Sequence, residues 1–250
     1  MDDQTVFLPD VVADDRTAFA GDSGWAHDSG LKEDDFSRQQ GLSVEQWLSR
    51  PFVPEGVSEP VSGPNILADA AQHLFNHAQV LLEGGRLSQA RALFQEDMEL
   101  FERAAHEAGM EWPRIRLARY VLCTFCDELL SRSGTVVEGQ STLLFHFHQE
   151  TWGGEGVFWA LKQCCEKPSL HWMEIELIYM CLNLGFQGQF RREKDGRQQL
   201  ERIRTMVWGV LKRLGRSAPS NGLMDMPVPE TSPENRRLSM ALRAAGLLLC

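Results

Sequence analysis

Apolar residues recur three and four positions apart from about residue 64 to residue 214, and this stretch lacks the period-two alternation of a strand. Capping residues, glycines and prolines divide it into segments. The predicted helices run from Asn65 to Gly84, Ser88 to Gly109, Pro113 to Ser131, Ser141 to His148, Glu155 to Glu166, Leu170 to Phe186 and Asp195 to Leu214. The pattern therefore predicts an all-α bundle of about seven helices.

Two of these helices, over residues 113–131 and 170–186, are apolar on most of their sides. A helix at the surface of a protein keeps one polar face, whereas a helix that is apolar all round is buried. These two helices are therefore predicted to form the spine of the bundle.

The negative charge of the chain is concentrated at its N-terminus. The formal net charge is −10, and residues 1–60 contain 13 acidic and 4 basic side chains. Residues 1–63, which also lack helical periodicity, are predicted to be an acidic disordered tail. Residues 64–215 are the predicted helical domain, and its nearly balanced charge gives no reason to expect nucleic-acid binding.

Residues 216–250 are predicted to be a Pro-rich linker followed by the start of a C-terminal membrane anchor. Arg236, Arg237 and Arg243 come before the apolar run 244–250, and basic residues ahead of an apolar run are typical of a cytoplasmic flank. The run is shorter than the ~18–20 residues that a membrane helix needs. A short amphipathic end is equally compatible, and membrane attachment is predicted only if the chain continues.

Five of the six cysteines lie in apolar, helix-like runs. Adjacent Cys164 and Cys165 suit a disulfide framework poorly, and the Cys123-x-x-Cys126 pair has no second pair at metal-ligand spacing. The cysteines are therefore predicted to be small core residues in a reducing compartment.

Asp127 and Glu128 are adjacent acids near the end of the predicted central helix. Consecutive helical residues diverge by about 100°, so the two carboxylates do not share one proton as an acid/base pair. Three interpretations stay open: a solvated helix end, an internal pair with Arg191 or Arg192, and a partly buried acidic lip that binds a protein partner.

His146, His148 and Glu150 are the remaining candidates for chemistry. Two histidines two residues apart on a helix point in different directions, which disfavours a shared metal ion. No metal and no cofactor are therefore predicted. A soluble helical enzyme or metal-binding module that uses these residues with Asp127 and Glu128 is kept as the alternative, and a free helical adaptor as a third reading.

Two glycine-containing turns are predicted to be structural. Trp152 is expected to fill the core, while Gly153 and Gly154 allow a tight turn. Gly185, Phe186 and Gly188 are predicted to end a helix; this stretch is no phosphate loop, because no strand precedes it and no Lys-Ser/Thr pair follows.

Three strings, over residues 118–128, 148–154 and 179–191, together resemble the DotU family of type VI secretion proteins in their order and spacing. The resemblance spans roughly residues 64–214 and implies a hook-like, all-helical domain of two small bundles with a cleft. The loop after Glu128 departs from the family pattern, since it is short and lacks the expected tryptophan.

The resemblance also implies a function. DotU-like proteins are non-enzymatic scaffolds on the cytoplasmic face of the bacterial inner membrane. They pair with the large subunit TssM, recruit the baseplate through TssK, and self-associate. On this view Asp127, Glu128 and Glu150 are the candidate partner-binding residues of the chain.

Overall fold

The computed structural model describes residues 60–87, 89–134, 141–151 and 153–217. Within them the chain forms eight α-helices and a short 3-10 helix over Gly188–Arg192, with no strand. The α-helices are α1 (Ile66–Ala70), α2 (Gln72–Leu82), α3 (Ala90–Glu107), α4 (Trp112–Ser133), α5 (Leu143–His148), α6 (Gly153–Glu166), α7 (Trp172–Asn183) and α8 (Gly196–Arg213). The all-α prediction is confirmed.

Several helix boundaries differ from the prediction. The first predicted helix is divided at Ala71 into α1 and α2. Helix α5 is capped by Thr142 rather than by Ser141, because the Thr142 hydroxyl accepts the N–H of Phe145. Helix α6 begins at Gly153, so the double glycine opens that helix and is not a separate turn before it.

Helices α4 and α7 connect the rest of the fold. Helix α4 contacts α2, α3, α5, α6 and α7, and α7 also contacts α1, α6 and α8. Both are buried on most sides, which confirms the predicted spine. They join a group made of α1, α2 and α3 to a group made of α6, α8 and the 3-10 helix.

The five cysteines in the described ranges are free and buried, as predicted: Cys123, Cys126, Cys164, Cys165 and Cys181. Burial raises the pKa of each of these thiols above its usual value, so the thiols pack as apolar groups and are not reactive thiolates.

Most of the predicted acidic tail, and most of the predicted linker and anchor, lie outside the described residues. In the part of the chain that the structure describes, none of the helices combines the length and the apolar character needed to cross a bilayer.

Candidate functional site

Asp127 holds the N-terminus of α5. Its Oδ1 accepts the backbone N–H of Leu143 at 2.8 Å, and its Oδ2 accepts that of Leu144 at 2.9 Å. The first N–H groups of a helix have no partner within the helix, so the carboxylate satisfies two of them. Burial raises the pKa of Asp127, and these two hydrogen bonds and the charge of Arg91 oppose the rise.

Glu128 holds the turn that follows α7. Its carboxylate accepts the N–H of Gln187 at 3.1 and 3.2 Å and the N–H of Gly188 at 2.7 Å. Arg132, one helical turn further along α4, donates to the carbonyl of Gly185 at 2.8 Å. Burial raises the pKa of Glu128, and the two backbone donors oppose the rise more than the nearby arginines do.

The same turn packs directly on the start of α6. Gly188 has φ +53°, and a Cβ there would come within 2.7 Å of the carbonyl oxygen of Gly154. A Cβ on Gly154 would in turn lie 3.1 Å from the backbone of Gly188 and Gln189. The two glycine motifs are therefore adjacent because only backbone without side chains fits between them. Phe186, between the two turn glycines, is buried and stacks on Phe158 of α6.

Two side chains of α4 line the other side of the α6 N-terminus. A Cβ on Gly153 would overlap the Thr124 hydroxyl, and one on Gly156 would overlap the Tyr120 hydroxyl. The Tyr120 hydroxyl is hydrogen-bonded to the Glu150 carboxylate. Burial raises the pKa of both groups, whereas the hydrogen bond raises the pKa of Tyr120 further and opposes the rise at Glu150, so Tyr120 is the proton donor in this bond.

Arg119 contacts the C-terminal end of α5. It pairs with Glu102 of α3, and its Nε donates to Nε2 of His148 at 3.3 Å. Its guanidinium also lies 5.4 Å from the centre of the Phe147 ring. Burial, followed by the charges of Arg119 and Arg116, lowers the pKa of His148 well below its usual value, so the imidazole is neutral.

These contacts account for the residues selected from the sequence. Asp127, Glu128 and Glu150 are half-buried acceptors of internal hydrogen bonds. The base nearest to Glu128 is Arg132, at 3.9 Å, rather than the predicted Arg191 or Arg192; Arg191 adds only a weaker charge effect. Trp152 lies outside the described residues, so its predicted core role stays a prediction.

The metal alternative has little geometric support. His146 is exposed, whereas Nε2 of His148 faces a guanidinium. Over the described ranges, no group of three or more His, Cys, Asp or Glu side chains is placed to hold a metal ion.

Sequence reasoning missed Arg119, Tyr120, Thr124 and Arg132 as members of this cluster. The signal was present in part, because Glu128 and Arg132 have the (i, i+4) spacing of an ion pair on one helix face. The close approach of Tyr120 and Thr124 to Gly156 and Gly153 left no such signal, since a glycine has no side chain to indicate what packs on it.

Fold and site define an all-helical domain whose polar cluster joins helix ends. The family described as type VI secretion system protein DotU matches residues 66–250. The crystal structure of TssL from Vibrio cholerae is 30% identical, with a TM-score of 0.56, over 61% of this chain and 99% of that chain. A comparison with curated proteins returned no match.

The family match spans well over half of the chain, and the chain therefore belongs to the DotU family. Membership makes it a structural subunit of the type VI secretion membrane complex, in a family associated with the inner membrane. The three strings that carried the resemblance are thus the three parts of one cluster, built around the second half of α4.

Proposed function

We propose that this chain is a non-enzymatic scaffold on the cytoplasmic face of the inner membrane. It pairs with a TssM-like subunit, recruits a TssK-like baseplate protein and self-associates. One observation supports a non-enzymatic function. The carboxylates of Asp127, Glu128 and Glu150 accept hydrogen bonds from backbone N–H groups and a buried tyrosine. Acids used in this way stabilise a shape, whereas a catalytic acid has to face a substrate.

The proposal gives the three predicted partner-binding acids a defined role. They act by holding α5 and the turn over residues 185–188, and the residues exposed on α5 make the contact. Phe145 is 41% exposed on α5, and His146 beside it is also exposed. Aromatic side chains are enriched at protein interfaces, and a few large side chains dominate the binding energy there.

The test is the affinity of the full chain for the TssK-like baseplate protein, measured by calorimetry. Phe145→Ala should weaken binding roughly tenfold or more, the usual effect of removing an aromatic anchor from an interface. Leu170→Ala is the matched control, because Leu170 is 59% exposed in the segment between α6 and α7. Equal affinity for wild type and Phe145→Ala would show that the baseplate protein does not bind through α5.

Two further measurements test the alternative functions, a metal-binding module and a free helical adaptor. Stoichiometric metal in the purified protein would favour the metal-binding alternative over a scaffold. Recovery of the whole chain in the membrane fraction, together with a TssM-like subunit, supports membrane attachment. Recovery only in the soluble fraction would support the free helical adaptor.

A further inference from the structure

The C-terminal end of the described domain is strongly basic. Residues 188–216 contain nine basic and three acidic side chains. Seven of the bases are exposed, and they define what we call the basic face: Arg191, Arg192, Lys194, Arg197, Arg202, Lys212 and Arg213. None of the seven forms an ion pair with another described residue. The face follows α8, whose 18 residues span about 27 Å.

The basic face includes bases at both ends of α8. Four of them, at residues 191, 192, 194 and 197, lie around the N-terminus of the helix, where Asp195 is the N-cap and Glu193 is exposed beside it. The helix dipole disfavours bases at the N-terminus and favours Lys212 and Arg213 in the last turn. The seven like charges repel one another, and an anionic surface that covers the face relieves this repulsion.

The structure also shows where the acidic end of the chain joins the domain. The N–H of Val61 donates to the carbonyl of Leu214, at the end of α8, at 2.9 Å. Arg216 donates to the carbonyl of Gly63 at 2.9 Å. Residues 1–59, which contain 13 acidic and 4 basic side chains, are therefore attached beside Lys212 and Arg213, at one end of the basic face.

We infer that residues 1–59 bind the basic face of the same molecule and cover it until another anionic surface displaces them. Charge complementarity supports this occupant, since the segment carries a net charge of −9. The tether favours it over other anions, because a covalently linked segment is present at an effective concentration of about millimolar. The basic face is then an interaction surface whose availability the chain itself regulates. The inference goes beyond the proposed scaffold function and does not depend on it.

Carbodiimide cross-linking of the full chain tests the inference, since it joins a carboxylate to a lysine amine only when the two are in contact. The chain offers an internal comparison. Lys194 and Lys212 belong to the basic face, whereas Lys167 is exposed in the segment between α6 and α7. Cross-links from the acids of residues 1–59 should form at Lys194 and Lys212 and not at Lys167. They should be lost near 0.5 M salt, where the Debye length is roughly 4 Å.

A charge-reversed variant separates surface charge from simple proximity. Arg197→Glu/Arg202→Glu keeps both lysines and should lose the cross-links at Lys194 and Lys212. Arg86→Glu/Arg103→Glu makes the same charge change at exposed positions off the face and should keep them. Both variants replace exposed side chains, and their helical circular dichroism is recorded first to establish that they fold.

Three results would overturn the inference. Cross-links that join labelled to unlabelled copies in a mixed sample would show that a second copy covers the face. Equal labelling of Lys167 would show that the contacts are not specific to the face. Absence of the cross-links, with flotation on phosphatidylglycerol vesicles that Arg197→Glu/Arg202→Glu abolishes, would assign the face to an anionic membrane.

Discussion

The carboxylate of Glu128 accepts the backbone N–H of Gly188 at 2.7 Å, although the two residues are 60 positions apart. Arg132 donates to Gly185 of the same turn. One side of α4 thus presents an acceptor and a donor that match the N–H and carbonyl groups of a single turn. Because that turn packs on Gly154, the acidic pair and the two glycine motifs form one structural unit.

Glu128→Gln should lower the free energy of unfolding by about 1–3 kcal/mol. The amide keeps one acceptor oxygen but directs an NH2 group toward the N–H donors of residues 187 and 188. The urea midpoint measures the loss, with Glu193→Gln as an exposed control beside the same turn. A wild-type midpoint combined with lost partner binding would show instead that Glu128 contacts the partner directly.

Gly188→Ala should destabilise the domain more than Gly134→Ala. Both glycines have positive φ, at +53° and +69°, so an alanine at either position incurs left-handed strain of about 1–2 kcal/mol. A Cβ at residue 134 would meet nothing within 4 Å, whereas one at residue 188 would press on the Gly154 carbonyl. The close approach should add about 1–3 kcal/mol in thermal or urea unfolding. Equal losses would mean that α6 and the turn separate at little cost.

Periodicity was sufficient to predict the helices and the spine, because burial on all sides leaves a direct pattern in the residue types of α4 and α7. Periodicity could not predict which groups Asp127 and Glu128 bind. Their partners are backbone N–H groups at residues 143–144 and 187–188, and backbone donors carry no residue-type signal. The geometry did indicate that the two acids point apart, and they do bind two different segments.

The division of the first helix and the start of α6 show a second reason why the observed helix boundaries differ from the predicted ones. Ala71 has no propensity to end a helix, and the break there between α1 and α2 is not visible in the sequence. Gly153 has low helix propensity yet begins α6, because a side chain at that position would overlap Thr124. At Gly153 tertiary packing decided the boundary, and local propensity did not.

Glu176→Ala should destabilise the domain by about 3 kcal/mol, as expected when one partner of a buried ion pair is removed. The Glu176 carboxylate accepts from Arg216 at 3.0 and 3.3 Å and from Asn65 at 3.0 Å, so it ties the start of α1 to the end of α8. Glu201→Ala is the matched control: its side chain is 57% exposed and pairs with Arg204, which is worth at most about 1 kcal/mol. Similar urea midpoints for the two variants would show that the buried pair contributes no more than a surface pair.

The neutral state of His148 links folding to pH. In the unfolded chain the imidazole gains a proton near its ordinary pKa of 6.5, whereas burial and Arg119 keep the pKa of the folded group well below that value. The unfolded state therefore binds more protons as the pH falls below 6.5. Stability from this group is present above that pH and is lost as the pH falls toward the folded pKa, by at most about 1.4 kcal/mol per pH unit.

His148→Gln should remove this part of the pH dependence, because glutamine can accept from Arg119 but does not titrate. Asp127, Glu128 and Glu150 have raised pKa values and contribute with the opposite sign, since their folded forms hold protons more tightly. They are common to both proteins, so they cancel when the variant is subtracted from wild type. The stability advantage of wild type over His148→Gln should therefore shrink between pH 7 and pH 5, measured by urea unfolding at each pH. A constant difference between wild type and His148→Gln would mean that the imidazole of His148 titrates alike in the folded and unfolded states, and that burial and Arg119 do not hold it neutral.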